Sequence, residues 1–183
     1  MKSDITQALM AEHRLILRML DLLERKAART AEGGPTDWQF YLDGVDFIRN
    51  YADRFHHAKE EDVLFEALVH NGMPREHSPV AAMLLEHEQG RAHVRALETA
   101  AREALAGLPG REAAIVEHAR AYAALLREHI AKEDGILYPL AERLIPDTLR
   151  DGILAGYREA EARMTADLAA RFEAMVLKYE QEQ

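Results

Sequence analysis

Apolar side chains along this chain recur every three or four residues, the spacing of one face of an α-helix. Glycine- and proline-containing breaks divide the pattern into five predicted helices, at about residues 4–30, 37–70, 78–107, 111–144 and 147–179. Thr36 or Asp37 is suited to capping the second helix, and Ser78-Pro79 to starting the third. No alternating run of β-branched residues is present, so the sequence predicts an all-α protein.

Four of these helices are long and amphipathic, and short loops join them. This pattern predicts an up-down-up-down four-helix bundle over residues 1–145. Residues 146–183 are predicted to form one additional C-terminal amphipathic helix, packed on the bundle or placed at a dimer contact. Its apolar stripe consists of Ile153, Tyr157, Met164, Leu168, Phe172 and Met175. No glycine-rich phosphate-binding motif supports nucleotide binding.

The composition narrows the class of function. The net charge of −9 and the lack of a basic stripe argue against nucleic acid or an anionic membrane as the main partner. The first residues are polar, and no apolar run approaches the roughly 20 residues of a membrane span, so we expect a cytoplasmic protein. The chain has no cysteine, which excludes disulfides and iron–sulfur clusters, but it has nine histidines.

The second half of the chain repeats the first at an offset of 73 or 74 residues. The segment HHAKEEDVLF at 56–65 resembles HIAKEDGILY at 129–138, and ALMAEH at 8–13 resembles AMLLEH at 82–87. The two halves therefore look like a doubled helical hairpin, which predicts an approximate twofold axis in the bundle.

The repeated polar residues lie on the apolar stripes. Residues four apart in an α-helix differ by about 40°, so His56 and Glu60 share a face, as do His129 and Glu133. Histidines also lie on the stripes of helices one and three, at His13 and His87. These stripes further predict burial of Leu84, Leu125, Leu140 and Leu144.

Helix lengths place these histidines at one depth. In the first half, the two histidines lie 17 and 19 residues from the loop that joins their helices. In the second half, the separations are 20 and 18 residues. Because an α-helix rises by about 1.5 Å per residue, the polar residues should converge at one level inside the bundle.

Four imidazoles and two carboxylates at one level form a ligand set for a pair of transition-metal ions. By symmetry, Glu60 and Glu133 would bridge the ions. Each ion would take two of His13, His56, His87 and His129. Each ion would then have fewer than six ligands, which leaves a position for O₂, NO or peroxide.

Other polar residues receive different predictions. No ligand role is expected for His57, His70, His77, His93 and His118. In the 56–65 segment, His57, Lys59 and Glu61 are predicted to be solvated. Glu12 and Glu86 are either partners of the ligand histidines or partly exposed ion-pairing acids. Tyr51 and Tyr122 either donate to a bound ligand or pack in the core.

The combined pattern resembles the hemerythrin-like (HHE cation-binding) family over about residues 4–145. The resemblance rests on Glu12-His13, H-x-x-K-E-E-x-x-L-F at 56–65, Glu86-His87-Glu88 and H-x-x-K-E-D-x-x-L-Y-P at 129–139. The closest branch is the bacterial one that includes the iron-centre repair proteins. It implies two iron ions in a non-haem di-iron centre, bridged by oxo and carboxylate groups. The ligands carry over to His13, His56, Glu60, His87, His129 and Glu133.

The chain departs from two groups within this family. The oxygen-carrying hemerythrins have a further histidine at the position of Arg91, so reversible O₂ transport is not expected. Those carriers also use an aspartate at the spacing of Asp134. Glu133 is preferred as the ligand because it matches Glu60 in the repeat, and Asp134 remains the alternative. The repair proteins often carry a cysteine-containing N-terminal segment, which weakens a repair role for this cysteine-free chain.

The leading functional hypothesis is a di-iron protein that binds, senses or reduces a small oxidant. If it turns over, it is an oxidoreductase acting on NO or peroxide, with a redox partner protein as electron donor. The alternative is non-catalytic iron storage, iron delivery or redox sensing through a protein partner. A purely structural zinc site is a third possibility, and a homodimer is open in each case.

Overall fold

The computed structural model describes residues 4–182, which form six helices and no strand. Helix α1 spans Gln7–Ala31, and α2 begins at Trp38 and ends at His70. Helix α3 spans Pro79–Leu105, and α4 begins at Glu112 and ends at Leu144. Helices α5 and α6 span Asp147–Glu161 and Leu168–Gln181. Within this described part of the chain, no helix combines the length and apolarity needed to cross a membrane.

Helices α1 to α4 form the predicted all-α bundle. Helix α4 packs against α1 and α3, and α2 packs against α3 and α1. The side chain of Asp37 accepts hydrogen bonds from the backbone N–H groups at the start of α2, and Ser78 caps α3 in the same way, just before Pro79. Helices α2 and α3 are followed by Gly72 and Gly107, whose φ angles of 98° and 86° favour glycine.

Two apolar cores lie on either side of a buried polar layer. The larger core is built from the helix segments near the α1–α2 and α3–α4 loops, with Leu20, Phe40 and Leu97 among its members. The smaller core lies toward the other end of the bundle and includes Leu9 and Leu64. The repeated histidines and glutamates lie between these two groups along every helix, so apolar side chains enclose the polar layer from both ends.

Helices α2 and α4 contain π-helical turns where they pass this layer. The segments Ile48–His57, Glu60–Leu64 and Glu133–Leu137 have the π-helical pattern of i→i+5 hydrogen bonds. In α2, every fourth residue is buried from Ile48 to Leu68. At α-helical pitch, a spacing of four drifts by about 40° per step, or about 200° over this run. The wider π turns take up an additional residue and keep these positions on one face.

The buried face consequently differs from the predicted one at several leucines. Leu125 and Leu140 are partly buried, and Leu144, which follows the wide turn in α4, is 41% exposed. In α3 the buried positions alternate steps of three and four, so Met83 is buried and Leu84 is 37% exposed. The predicted burial is therefore wrong for Leu84 and Leu144 and holds in part for Leu125 and Leu140.

The C-terminal segment forms two helices instead of the single predicted helix. Its apolar stripe has a gap between Tyr157 and Met164, and the chain turns at residues 162–167. Helix α6 packs on the larger core, where the Phe172 ring meets the Phe47 ring edge-on at 5.4 Å between centroids. Helix α5 packs on the Glu60–Leu64 turn of α2. Both helices thus contact the bundle.

Candidate metal centre

The six residues predicted as ligands lie together in the polar layer. Each of the four bundle helices contributes at least one of them, and each residue is at most 2% exposed. They are His13 from α1, His56 and Glu60 from α2, His87 from α3, and His129 and Glu133 from α4. Two π segments begin at Glu60 and Glu133, and a third contains His56, so the local helix geometry and the site occupy the same stretch.

The four histidines form two pairs that the repeat relates to each other. The Nε2 atoms of His13 and His56 are 2.9 Å apart, and those of His87 and His129 are 3.0 Å apart. In each pair the two histidines come from the two helices of one helical hairpin, at the same depth, as the helix lengths predicted. All four Nε2 atoms therefore face the centre of the bundle.

The two glutamates lie between the pairs. Glu133 has Oε2 at 3.3 Å from Nε2 of His13 and Oε1 at 3.1 Å from Nε2 of His129. Oε2 of Glu60 lies 3.5 Å from Nε2 of His87 and 3.8 Å from Nε2 of His56. Each carboxylate thus approaches one histidine from each pair.

An acidic side chain contacts the outer nitrogen of each histidine. The Nδ1–oxygen distances are 2.8 Å for His13 and Asp134, 2.8 Å for His56 and Glu12, 2.6 Å for His87 and Glu61, and 2.9 Å for His129 and Glu86. Such contacts fix the orientation of a metal-binding imidazole and raise its basicity. The twofold repeat relates Glu12 to Glu86 and Glu61 to Asp134, so the outer acids follow the same symmetry as the histidines.

These contacts distinguish between alternatives that the sequence left open. Glu12 and Glu86 contact the ring nitrogens of site histidines, and each also binds a lysine. Both roles left open for these acids, histidine partner and ion-pairing acid, are therefore present. Asp134 lies on the outer nitrogen of His13, whereas Glu133 lies between the pairs. The geometry therefore favours Glu133 over Asp134 as the residue that faces a metal.

In the 56–65 segment, the predicted solvation is wrong for His57 and Lys59 and holds only in part for Glu61, whose side chain is 24% exposed. His57 is 6% exposed and Lys59 is completely buried, while Glu61 contacts His87 and Arg91. The prediction assumed α-helical angles, and the π turns on both sides of Ala58 rotate these side chains inward.

Lys59 connects the site to a C-terminal helix. Its ammonium group binds the carboxylate of Glu12 and lies 2.8 Å from Oε1 of Glu161 in α5. The same group lies 3.9 Å from the centroid of the Phe55 ring. Its counterpart in the repeat, Lys132, binds Glu86 in the same way but is 41% exposed. Helix α5 therefore covers one half of the site and not the other.

Tyr138 is a polar neighbour that the sequence did not single out as a site residue. Its hydroxyl donates to Oε1 of Glu60 at 2.5 Å, and its ring stacks on His13 with centroids 5.6 Å apart. The aromatic position was visible in the repeat, but its counterpart is Phe65, which has no hydroxyl. Of the two roles that the sequence left open for Tyr51, the structure agrees with core packing, since its ring lies among Phe47 and Phe55.

One member of the second histidine pair, His87, borders a cavity of about 220 Å³. Its lining includes His57, His87, Gly90, Arg91 and Tyr122. The Tyr122 hydroxyl is buried and has no hydrogen-bond partner among residues 4–182. Small molecules therefore have a polar recess beside the uncovered half of the site.

The charges show that each histidine pair favours one proton. Burial opposes the charged form of His13, but Asp134 and Glu133 outweigh it and raise its pKa to about 9. Burial and the charge of His13 lower the pKa of His56 well below its usual range. The second pair divides in the same way, with a raised pKa for His129 and a lowered pKa for its partner. One ring of each pair can thus donate to the other.

The carboxylates have unsatisfied oxygen atoms. Burial and the charge of Glu133 raise the pKa of Glu60. Burial also opposes ionisation of Glu133, but the nearby imidazoles of His129 and His13 outweigh it and lower the pKa of Glu133. Among the described residues, Oε2 of Glu60 and both carboxylate oxygens of Glu133 make no hydrogen bond of acceptable geometry. Buried acceptors of this kind are costly unless a cation neutralises them. The residues therefore fit a site for positive ions.

Two overlapping groups of buried side chains have the spacing of metal ligands. Their ligand atoms lie within 4.8 Å of one another, in one group of His13, His56, Glu60 and Glu133 and another of His57, Glu60, His87 and His129. A helical bundle with inward-facing histidines and shared carboxylates is the architecture of a metal-binding bundle protein.

The chain belongs to the hemerythrin family, since the model of the hemerythrin HHE cation-binding domain matches residues 4–141. The family and the histidine–glutamate clusters together identify a metal-binding domain. Searches of curated proteins and of solved structures gave no match. The narrower resemblance to the branch with iron-centre repair proteins stays a prediction.

Proposed function

We propose that this protein holds two iron ions between its histidine pairs and binds a small oxidant at a coordination position that the protein leaves open. The ligands would be His13, His56, Glu60, His87, His129 and Glu133. The observation that carries this proposal is the placement of the two glutamates. Each lies within 3.1–3.8 Å of one histidine nitrogen from each pair, where a carboxylate bridging two ions would have to lie.

The donor set supports iron as the metal. Imidazole nitrogen suits iron, zinc, copper and nickel, and carboxylate oxygen adds negative charge that offsets two cations. Iron, when bound, supplies the redox chemistry that O₂, NO or peroxide requires. The protein's own contribution is to orient the imidazoles through the outer acids, to exclude bulk water with the two apolar cores, and to hold protons on His13 and His129 until metal displaces them.

The cavity supports a small ligand. Its volume of about 220 Å³ accommodates a diatomic molecule or peroxide with a few waters, and its wall includes one of the site histidines, His87. Tyr122 lines the same cavity, and its buried hydroxyl has no hydrogen-bond partner in the described chain. A ligand bound in this cavity would therefore have an unused hydroxyl donor available in the same region.

A second candidate, a redox sensor that acts through a protein partner, is favoured by the contacts of Lys59. His56 contacts Glu12, Glu12 binds Lys59, and Lys59 binds Glu161 on α5. A change of charge at His56 would therefore reach a helix on the outside of the bundle through three polar contacts. No comparable observation favours iron storage or delivery.

Metal analysis tests the site. The protein and a His56→Ala/His129→Ala double variant are loaded anaerobically with ferrous iron and passed through a desalting column. We expect about two irons per chain in the parent, because two pairs of imidazoles are present, and strong loss in the double variant. The exposed His70 supplies the control, since His70→Ala should retain both ions. Equal iron content in the parent and the double variant would refute the site.

Stopped-flow mixing with NO, O₂ and peroxide separates the two functions. Consumption of many equivalents of oxidant in the presence of a reductant supports an oxidoreductase. A stable spectral change without turnover supports a sensor. A protein that binds zinc tightly, excludes iron and responds to none of these oxidants would contradict both.

A further inference from the structure

The cavity lined by α2, α3 and α4 lies where the twofold repeat lacks a side chain. Gly90 lines this cavity, and the residue at the same place in the first half of the chain is Ile16, which is 1% exposed. A Cβ added to Gly90 would meet the ring of Tyr122 at 3.4 Å. The absence of a side chain at position 90 thus leaves space beside this ring that the first half fills.

The charges at the mouth of the cavity also depart from the repeat. On the twofold-related side of the bundle, Arg127 of α4 binds Asp21 and Glu24 of α1. The residues that correspond to Arg127 and Asp21 are Arg54 of α2 and Arg95 of α3. Both of these arginines line the cavity and are exposed, so they form its mouth. Two positive charges therefore stand where the other side of the bundle has an ion pair.

No acid neutralises these two arginines. Within residues 4–182, Arg54 donates a hydrogen bond only to the side-chain oxygen of Asn50, at 3.3 Å, and Arg95 makes no ion pair. The chain as a whole has a net charge of −9, so an uncompensated pair of arginines is a local exception. Such a region attracts anions from solution.

The other charged residues of the cavity are already paired. Asp53 binds Arg91, and Glu86 binds Lys132 from outside the cavity. Arg49 is bound by an acid of α3. The charge that remains for a ligand is therefore that of the two arginines at the mouth.

Unused polar atoms belong to the buried part of the lining. Tyr122 is 2% exposed and its hydroxyl has no hydrogen-bond partner in the described chain, and Nδ1 of the buried His57 also has none. Buried polar atoms usually have a partner, so these two atoms indicate a polar ligand. The volume of about 220 Å³ exceeds the roughly 150 Å³ of a cavity that holds benzene. A small organic acid or a tetrahedral oxyanion therefore fits.

We propose that this cavity binds a small dicarboxylate or phosphate-like oxyanion, held by Arg54 and Arg95 at the mouth and by the hydroxyl of Tyr122 inside. Guanidinium groups suit both kinds of anion, because their N–H groups pair with two oxygen atoms at once. The site goes beyond the proposed function, since none of these three groups is a metal ligand. It places an anion beside the metal centre, because His87 borders the same cavity.

Isothermal titration calorimetry with malonate, succinate and phosphate tests the site in the full chain. The buffer has low salt and no other multivalent anion. Iron-loaded protein and metal-free protein are measured in parallel, and the chelator used to remove metal is itself removed before the titration. The visible absorption spectrum of the iron-loaded protein records whether an anion binds to iron instead.

The variants remove one feature of the site at a time. Arg54→Gln and Arg95→Gln each remove a charge, and Tyr122→Phe removes only a hydroxyl. Gly90→Ile installs the residue found at the twofold-related position and fills the space. Arg14→Gln is the matched control, because Arg14 is exposed, lies outside the cavity and changes the net charge by the same amount.

We expect at least one of the three anions to bind the metal-free and the iron-loaded parent, with an affinity that falls as salt is added. Each variant of the two mouth arginines should weaken binding by about tenfold or more, and Tyr122→Phe by about fivefold, because hydrogen bonds to charged groups are lost. Gly90→Ile should abolish binding and Arg14→Gln should match the parent. A preference for malonate or succinate identifies a carboxylate ligand, and a preference for phosphate identifies a phosphate ligand.

Two results would overturn the proposal. The first is no binding of any of the three anions to the parent, or equal binding to the parent and both arginine variants. The second is binding to the iron-loaded protein alone with a shifted visible spectrum, because the anion then coordinates iron. Far-UV circular dichroism checks each variant, and the variants of the exposed arginines carry the test even if Gly90→Ile does not fold. A chain that takes up no iron but binds the anion would refute the proposed function and leave this site intact.

Discussion

Lys59 offers a test of how the C-terminal helix α5 is coupled to the buried layer. Its ammonium group is completely buried and binds both Glu12 and Glu161. Replacement by methionine keeps the length and the apolar stem but removes the charge. The carboxylate of Glu12, which is 11% exposed, then loses its cation while it still contacts His56.

The expected loss of stability follows from burial. Removing one partner of a buried ion pair costs about 3–5 kcal/mol, because the other charge is left uncompensated. Burial already raises the pKa of Glu12, and Lys59 opposes that rise. Without Lys59 the pKa of Glu12 rises further, so the carboxylate takes up a proton and limits the cost. We therefore expect Lys59→Met to lower the free energy of unfolding by about 3 kcal/mol at pH 8.

The repeat supplies a matched control in Lys132. This residue makes the same contact with Glu86 from the twofold-related position, but its side chain is 41% exposed. An exposed ion pair contributes about 0–1 kcal/mol, so Lys132→Met should have little effect. The two variants remove the same atoms from the same sequence motif and differ only in what covers them.

Urea unfolding of the metal-free proteins, followed by circular dichroism, measures both changes. A chelator is present because bound metal would add stability of its own. For a chain of this size, about 3 kcal/mol corresponds to a fall in Tm of about 6–12 °C. The deficit of Lys59→Met should shrink as the pH falls, because a raised pKa of Glu12 makes the folded variant take up a proton. Equal losses for the two lysine variants would refute the reasoning.

Three further predictions concern other contacts. Glu61→Gln should weaken iron binding by about 10–100-fold in a chelator competition, because it alters the acid that orients His87; unchanged affinity would contradict this role. Asp4 accepts from the backbone N–H groups of Thr6 and Gln7, and its lowered pKa means that its stabilisation is present above about pH 4 and is lost below it. Asp4→Asn should therefore lower the free energy of unfolding by about 1 kcal/mol at pH 7 and by little at pH 3, whereas an equal loss at both pH values would refute it. Gly152→Ala should stabilise α5 by up to about 1 kcal/mol in urea unfolding, because an added Cβ meets open space. Gly156→Ala should lose that gain, because its Cβ would lie 3.0 Å from the side chain of Val63.

Much of the architecture was predictable because the relevant information is local. Helix starts at Asp37 and Ser78 follow from capping chemistry, and the register of the hairpins follows from helix lengths. The internal repeat then placed four histidines and two glutamates in one layer without any knowledge of tertiary contacts. These inferences tolerate small errors in helix angle, since a glutamate four residues after a histidine lies near it in either helix type.

The errors arose where the exact angle matters. His57 and Lys59 were predicted to be solvated because an α-helix at 100° per residue turns them away from the core. A strict spacing of four from Ile48 to Leu68 was the available signal for wider turns, since no α-helix keeps such a run on one face. The additional hydroxyl of Tyr138 and the cover by α5 depend on contacts between distant parts of the chain, which spacing alone does not reveal.

The wide turns in α2 and α4 bear on any attempt to transplant this centre. If the His-x-x-x-Glu segments were copied into a straight, regular α-helical bundle, each glutamate would turn by tens of degrees around its helix axis. It would then no longer face the histidines of the neighbouring helices. The recipient helices would need one surplus residue per transplanted turn, with the downstream apolar pattern shifted to match. The polar layer can therefore be transferred only as a block that includes its irregular backbone, and the identities of its side chains alone do not specify it.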